Sequence, residues 1–301
     1  MFEPIQFQSE GATLRGRLYR SEGGAPSPCV VMAHGTSATI RMVADDYARA
    51  FHQAGMSVLL YDHRNFGESG GEPRQEINPW IQARGYRDAV AFLRTRRDID
   101  GQRIALWGDS YSAGQVLLVG AFVDGLAAIL AQIPTCGSEL PGIEPSQENL
   151  ARLKSIFQSG DVSGTLNTTV GPMPVVSCDQ LNASSLLKPI QAFRWFMEYG
   201  GRHDSGWENR ATRVVPPTPL PFSPYLTAPY IRAPTLMMVG RNDEMVQCNP
   251  VVQQAVFDKI ASPKKFSEIE GGHFGLLWSP GSLFDEASAL QTAFLRETLS
   301  V

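Results

Sequence analysis

Several features that would mark a specialised class of protein are scarce or missing in this sequence. The 301 residues include four cysteines, and none of them forms a C-x-x-C pair or another spacing typical of a metal site. No apolar run reaches the roughly 18 residues that a membrane span needs. We therefore expect no bound metal, no membrane span and reduced thiols, with a single disulfide left open; the cysteines are Cys29, Cys136, Cys178 and Cys248.

An excess of positive charge is missing as well. The formal net charge is -4, whereas a protein that binds nucleic acid carries a basic face. The first residues, MFEPIQFQSEGATLRG, do not show the basic and then apolar pattern of a secretory signal. We expect a cytoplasmic protein with no nucleic-acid partner, and the composition leaves a homodimer open.

What the sequence does contain is a regular alternation of strand and helix patterns near both ends. The apolar runs CVVMAHG, MSVLLY, RIALWG and APTLMMVG are typical of strands buried on both faces. Segments such as DDYARAFHQAG and GYRDAVAFLRTR have the apolar spacing of amphipathic helices. This alternation predicts an α/β fold with right-handed crossovers and a mostly parallel sheet.

The alternation stops in the middle of the chain. Residues 135–228 contain two helical stretches, QENLARLKSIF and SLLKPIQAFRWFMEYG, followed by the proline-rich run VVPPTPLPFSP. The pattern of strands and helices resumes at about residue 229. We therefore predict a core of residues 1–134 and 229–301, with residues 135–228 as an insertion that folds over the sheet.

The segment GDSYSAG contains two candidate nucleophiles, because a strand that turns sharply into a helix can present a serine between small residues. With Ser110 at the turn, the residues two before and two after it are Gly108 and Ser112, which are both small. The predicted strand IALW ends directly at Gly108, which favours Ser110 as the nucleophile. Ser112 would then lie in the first turn of the helix.

A serine nucleophile needs a base, and the base needs an acid that orients it. Among the five histidines, His273 follows a predicted strand in the glycine-flanked loop EIEGGHFG and is the best candidate for the base. Asp243 and Glu244 both follow another buried strand, at the sheet edge where α/β proteins gather their ligands. We favour Asp243 as the acid and keep Glu244 as the alternative.

A serine that attacks an acyl group also needs an oxyanion hole. There, two backbone N–H groups stabilise the charge that develops on the substrate oxygen. The residue after the nucleophile, Tyr111, would supply one of them. The loop AHGTSA, which follows an early predicted strand, would supply the other from Thr36. Such a site implies no metal and no organic cofactor.

Together these residues resemble the α/β-hydrolase superfamily. The matching stretches are VVMAHGTSA, VLLYDHRNFGESGG, RIALWGDSYSAG, LMMVGRNDEMV and EGGHFG, in the order serine, aspartate, histidine. The serine followed by Tyr and Ser resembles a branch that contains dienelactone-hydrolase-like proteins and fungal polyketide transferases. The resemblance implies an α/β-hydrolase fold in which the insertion forms a helical cap over the site. It also makes Trp195, Tyr199 and Trp207 candidate pocket residues.

The sequence therefore predicts a serine carboxylic-ester hydrolase with a small acyl substrate. Ser110 attacks the acyl carbon, His273 transfers the proton, and Asp243 orients the histidine. An acyltransferase, a thioesterase or an amidase would use the same residues. The alternative from a different functional class is a non-catalytic binding protein with this fold.

Overall fold

Runs of apolar residues form the strands of the molecule. The computed structural model describes residues 1–23 and 26–301. Its strands are β1 Phe2–Ser9, β2 Ala12–Tyr19, β3 Ser27–Ala33, β4 Ser57–Tyr61, β5 Glu76–Ile77, β6 Ile99–Asp109, β7 Ala128–Gln132, β8 Thr169–Met173, β9 Ala211–Val214, β10 Thr235–Gly240 and β11 Lys264–Ile269. Every residue of β3, β4, β7 and β10 is buried, as expected of strands that are covered on both faces.

Helices connect most of the strands. They are α1 Ala44–Gln53, α2 Pro79–Arg94, α3 Ser110–Val119, α4 Gln147–Ser159, α5 Ile190–Gly200, α6 Pro224–Thr227, α7 Pro250–Lys259 and α8 Ser282–Leu299, with a short 3-10 helix at Ala228–Tyr230. The side chain of Asn78 begins α2 by accepting hydrogen bonds from the amides of Trp80 and Ile81, at 3.1 and 3.3 Å. Within the described residues, we find no helix with both the length and the apolar character that crossing a membrane requires.

Eight strands form the central sheet in the order β1-β2-β4-β3-β6-β7-β10-β11. Strand β2 is antiparallel to both β1 and β4, and the remaining neighbours are parallel. Helices α1, α5 and α8 contribute to the apolar core on one face of this sheet. Helices α2, α3, α4 and α7 contribute to the core on the other face. The predicted α/β fold with a mostly parallel sheet is confirmed, and the parallel strands carry their carboxyl ends to one edge.

The insertion lies between β7 and β10, which are neighbours in the sheet. It contains the two expected helices, α4 and α5, but α5 begins at Ile190 rather than near residue 185. Pro189 explains the later start, because a residue that precedes a proline is disfavoured in helical conformation. The insertion also contains β8 and β9, which form a second sheet with β5 from the core. No sequence pattern predicted this sheet, and the domain boundaries stay a prediction.

Candidate active site

Ser110 lies at the junction between β6 and α3. Its φ angle of 53° is in the left-handed region, which is uncommon for residues other than glycine and is a known feature of nucleophile turns. Gly108 makes this turn sterically feasible, because a Cβ atom there would lie 2.5 Å from the carbonyl group of Ser112. The turn therefore presents the hydroxyl of Ser110 at the carboxyl edge of the sheet.

Ser112 has a different position from Ser110. It lies in the first turn of α3 and is fully buried. Its Oγ accepts a hydrogen bond from the amide of Asp109 at 2.9 Å and lies 3.1 Å from the carbonyl oxygen of Ala33. The Asp109 side chain in turn accepts from the Ser112 amide, so the two residues cap the helix reciprocally. The hydroxyl of Ser112 is thus used in holding the turn together.

The loops that follow β10 and β11 bring two further side chains to Ser110. The Nε2 atom of His273 lies 2.9 Å from Ser110 Oγ. The Nδ1 atom of His273 lies 2.8 Å from Asp243 Oδ2. The side chains of His273 and Asp243 are only 2% and 4% exposed, so water does not compete for the bond between them. This is the geometry in which a histidine can take a proton from a serine while a carboxylate fixes its tautomer.

Glu244, the alternative acid, binds the same histidine at another point. Its Oε2 accepts a hydrogen bond from the backbone amide of His273 at 2.8 Å. Gly272 leaves room for this carboxylate, since a Cβ at that position would lie 2.4 Å from Glu244 Oε2. Asp243 therefore orients the ring, and Glu244 holds the loop that carries the ring.

Cys248 is a neighbour of His273 that no sequence pattern pointed to. Its Sγ lies 3.6 Å from His273 Nδ1 and 3.8 Å from Thr135 Oγ1. Burial, together with the charge of Asp243, raises the pKa of the thiol well above its usual value. Within the described residues, Asp243, Cys248 and His273 are the group whose donor atoms are close enough to share a metal ion.

The loop after β3 faces Ser110 and carries the first candidate oxyanion donor, the Thr36 amide. The Gly35 carbonyl belongs to the same peptide unit as that amide and lies 2.9 Å from His34 Nδ1. Since His34 Nε2 accepts from the amide of His63 at 3.3 Å, Nδ1 carries the proton and donates to Gly35. Burial lowers the pKa of His34 to about 4, which keeps the ring neutral. His34 therefore fixes the peptide unit that contains Thr36 N–H.

Tyr111 carries the second candidate oxyanion donor. It is the second residue of α3, where a backbone N–H has no acceptor within the helix. Because Tyr111 directly follows Ser110, we expect its amide to face the same site as the amide of Thr36. In both assignments the donor is a backbone amide. The identity of the side chain at Thr36 or Tyr111 therefore does not test them.

Asp109 is a second buried carboxylate at the site, and no sequence pattern pointed to it. It lines the pocket beside Ser110 and His273 and is 4% exposed. Burial raises its pKa to about 6, against the opposing effect of the positive charge that His273 can carry. No sequence signal distinguishes this residue from an ordinary helix cap, because the pKa depends on what covers it in the fold.

A narrow pocket opens onto Ser110 and His273. Its other walls are mainly apolar and come from the core and the insertion; they include Ala38, Leu187, Trp195, Phe196, Met245, Phe274 and Leu277. The indole N–H of Trp195 donates to the Leu277 carbonyl at 2.7 Å, which fixes the ring against the core.

The other two aromatic candidates lie behind this pocket wall. The Tyr199 hydroxyl lies 3.0 Å from the carbonyl oxygen of Ser279. The Trp207 ring packs on Phe196 at a centroid distance of 5.1 Å. The structure thus brings Trp195 to the pocket and uses Tyr199 and Trp207 to support it.

Comparison with known proteins agrees with this architecture. The family model described as "Alpha/beta hydrolase family" matches residues 30–286. "Thiohydrolase aneE" of Aspergillus aculeatus is 30% identical over 99% of this chain and 94% of its own length. "Polyketide transferase af380" of Aspergillus fumigatus is 28% identical over 99% of this chain and 98% of its own length.

A solved structure shows the same fold. The α/β hydrolase GrgF from Penicillium sp. sh18 superposes with a TM-score of 0.72 and 23% identity, and the match covers all of both chains. The family match over most of the chain and the structural match agree with the resemblance found in the sequence. The chain therefore belongs to the α/β-hydrolase family.

Proposed function

We propose that this protein is a serine hydrolase that cleaves acyl esters or thioesters through an acyl-enzyme on Ser110. The observation that carries the proposal is the continuous hydrogen-bonded chain from Ser110 Oγ through His273 to Asp243, with distances of 2.9 and 2.8 Å. Nucleophile, base and orienting acid are therefore in contact before any substrate binds.

The reaction begins when Ser110 Oγ attacks the acyl carbon and His273 Nε2 takes the hydroxyl proton. Asp243 stabilises the imidazolium that forms, without taking the proton itself. The amides of Thr36 and Tyr111 donate to the oxyanion of the tetrahedral intermediate. His273 then delivers the proton to the leaving alcohol or thiol, and the acyl group stays on Ser110.

Water completes the reaction by the same steps. His273 takes a proton from the water molecule, which attacks the acyl-enzyme, and then returns the proton to Ser110 Oγ. The walls formed by Leu187, Trp195 and Phe196 suit an apolar acyl group. Each oxyanion donor contributes about 3 kcal/mol to the transition state in enzymes of this kind.

Transfer of the acyl group to an acceptor other than water is the second candidate. A similar protein is named a polyketide transferase and another a thiohydrolase. On this chain, hydrolysis and transfer would both proceed from the acyl-enzyme on Ser110. Product analysis with water, alcohol, amine and thiol acceptors present together distinguishes the two activities. Hydrolysis predicts the free acid as the main product, whereas transfer predicts the acylated acceptor.

The test of the proposal compares the two serines of the turn. Ser110→Ala should lower the turnover of a p-nitrophenyl ester and of an acyl thioester by about 10⁴-fold or more, because it removes the nucleophile. Ser112→Ala is the matched control, and it should keep most of the turnover of its folded fraction. Labelling by a fluorophosphonate probe should require Ser110 and not Ser112. Retained turnover or labelling in the folded Ser110→Ala variant would refute the assignment.

A further inference from the structure

We propose that Asp243, Cys248 and His273 form an inhibitory site for a divalent cation of the Zn²⁺ type. The proposed cation binding depends only on the positions of these three side chains, whereas the proposed inhibition rests on the proposed function. The site would share two residues with the triad, so that the cation and the catalytic proton compete for the same atoms. Cys248 is the residue that the reaction does not use.

The spacing of the three donor atoms supports this site. Cys248 Sγ lies 3.6 Å from His273 Nδ1, and all three donors lie within 4.8 Å of one another. Zinc binds sulfur at about 2.3 Å and nitrogen at about 2.0–2.1 Å, so a tetrahedral angle separates the two atoms by about 3.5 Å. Sulfur and nitrogen therefore already have the separation that zinc needs.

The carboxylate needs a small adjustment. Asp243 Oδ2 is 2.8 Å from His273 Nδ1 because a proton joins the two atoms. Around a tetrahedral zinc ion the nitrogen and oxygen ligands would be about 3.3 Å apart, which requires a movement of about 0.5 Å. Thr135 Oγ1, 3.8 Å from Cys248 Sγ, or a water molecule can complete the coordination.

The charges balance when the cation enters. The Cys248 thiol releases its proton to solvent, and Asp243 is already a carboxylate. His273 keeps one proton, which moves from Nδ1 to Nε2. The two anionic ligands neutralise the 2+ charge of the ion, and a neutral complex suits a site in which Cys248 and His273 are each 1% exposed.

The same movement of the proton explains the inhibition. Ser110 Oγ faces His273 Nε2 at 2.9 Å, and it needs that nitrogen unprotonated. With the metal on Nδ1 and the proton on Nε2, His273 can no longer accept a proton from Ser110. A thiolate and an imidazole favour Zn²⁺, Cd²⁺ and Co²⁺ over Mg²⁺ and Ca²⁺, which prefer oxygen ligands.

The first experiment measures binding without using activity. Co²⁺ is titrated into the Ser110→Ala variant, whose three proposed ligands are intact, and the thiolate-to-cobalt charge-transfer absorption is recorded. The band should appear there and should persist when Cys136→Ala is added, because Cys136 is a buried cysteine outside the cluster. Adding Cys248→Ala should abolish it. No band, or a band that survives the loss of Cys248, would overturn the site.

The second experiment measures inhibition. Zn²⁺ should reduce ester turnover of the unmodified protein and of Cys136→Ala, and a chelator should restore it, whereas Mg²⁺ and Ca²⁺ should have no effect. The folded Cys248→Ala variant should need at least about tenfold more Zn²⁺ for the same fractional loss. Equal sensitivity of Cys248→Ala would overturn the inhibitory role. An unmodified protein that lacks turnover but binds Co²⁺ would instead refute the proposed function.

Discussion

The carboxyl edge of the sheet and the insertion between β7 and β10 are held in place in different ways. At the sheet edge, Ser110, Asp243 and His273 each follow a strand by a few residues, so the backbone of the sheet sets their positions. In the insertion, α4 and α5 are attached to the core by side chains that are distant in the sequence. The chemistry and the pocket therefore have separate supports, and substitutions should be able to disturb one without the other.

The two helices of the insertion illustrate the second kind of support. The guanidinium of Arg84, on α2, donates to the carbonyl oxygens of Ile156, Phe157 and Gly160 at the end of α4, at 2.6 to 2.9 Å. Carbonyl groups in the last turn of a helix lack some of their usual partners, and the guanidinium supplies donors there. The Ile156 carbonyl also accepts from the Gly160 amide at 3.1 Å. Helix α5 instead contacts the core through aromatic side chains beside the pocket, including Trp195. One half of the insertion is anchored away from the site, and the other half forms part of its wall.

The largest effect should come from the sheet edge. Asp243→Asn should lower kcat by about 10⁴-fold with little change in KM, because His273 loses the partner that fixes its tautomer. Glu244→Gln is the matched control, since its amide oxygen can still accept from the His273 backbone, and its loss should be less than tenfold. Steady-state kinetics on a p-nitrophenyl ester give both values. A larger loss for Glu244→Gln than for Asp243→Asn would reverse the two roles.

Removal of the α4 anchor should affect stability rather than chemistry. Arg84→Ala removes the guanidinium that pairs with Glu10 at 2.8 Å and donates to three carbonyl groups, whereas Arg87 still pairs with Glu10 at 3.2 Å. It should therefore lower the free energy of unfolding by about 2–3 kcal/mol. Arg87→Ala is the control. Because that arginine is 29% exposed, its loss should lower the free energy of unfolding by about 1 kcal/mol or less. Urea unfolding measures both. If kcat of the folded Arg84→Ala protein fell with its stability, the two supports would not be separate.

A change in the α5 wall should alter substrate preference. Trp195→Phe removes the hydrogen bond to Leu277 and widens the pocket, so the ratio of kcat/KM between longer and shorter acyl esters should change about tenfold. Trp207→Phe, behind the wall, is the matched control and should leave the ratio within about twofold, because the added space lies outside the pocket. Competition between two esters measures the ratio directly. An equal change in both variants would contradict the placement of Trp195 alone at the pocket.

The smallest effect concerns Asp109. Because its pKa is raised to about 6 in the fold, the stability it confers is complete below its unfolded pKa of about 4 and is lost as the pH rises through 6. The free energy of unfolding should therefore fall by about 1 kcal/mol more between pH 5 and pH 7.5 in the unmodified protein than in Asp109→Asn. The Asn side chain keeps an acceptor for the Ser112 amide. Urea titrations of both proteins at the two pH values test this, and parallel pH dependences would contradict it.

Much of the candidate site could be predicted because it depends on where buried strands end. The apolar run before Gly108 favoured Ser110 over Ser112, and the structure has Ser110 at the turn and Ser112 in the helix. Asp243 and His273 follow two further strands, and all parallel strands end at the same edge. The catalytic roles of these residues stay predictions until the variants are assayed.

Other features could not be predicted because they depend on contacts between distant segments. The family resemblance made Trp195, Tyr199 and Trp207 equal candidates, whereas the pocket lies on the side of Trp195. The short strands β5, β8 and β9 had no distinct pattern, since each is stabilised by its partners in the second sheet. Cys248 and Asp109 looked ordinary until the fold placed them beside His273.

The sequence by itself determined the parallel sheet, the order of the catalytic candidates along the chain and the interruption of the strand and helix alternation in its middle, because hydrophobic periodicity and turn residues act locally. The tertiary structure decided which carboxylate binds the His273 ring, which tryptophan lines the pocket and which cysteine lies beside His273. Those choices depend on side-chain directions across the sheet edge, and atoms 30 to 163 residues apart along the chain meet there. Local pattern therefore specified the elements that carry the catalytic candidates, and packing specified the contacts around them.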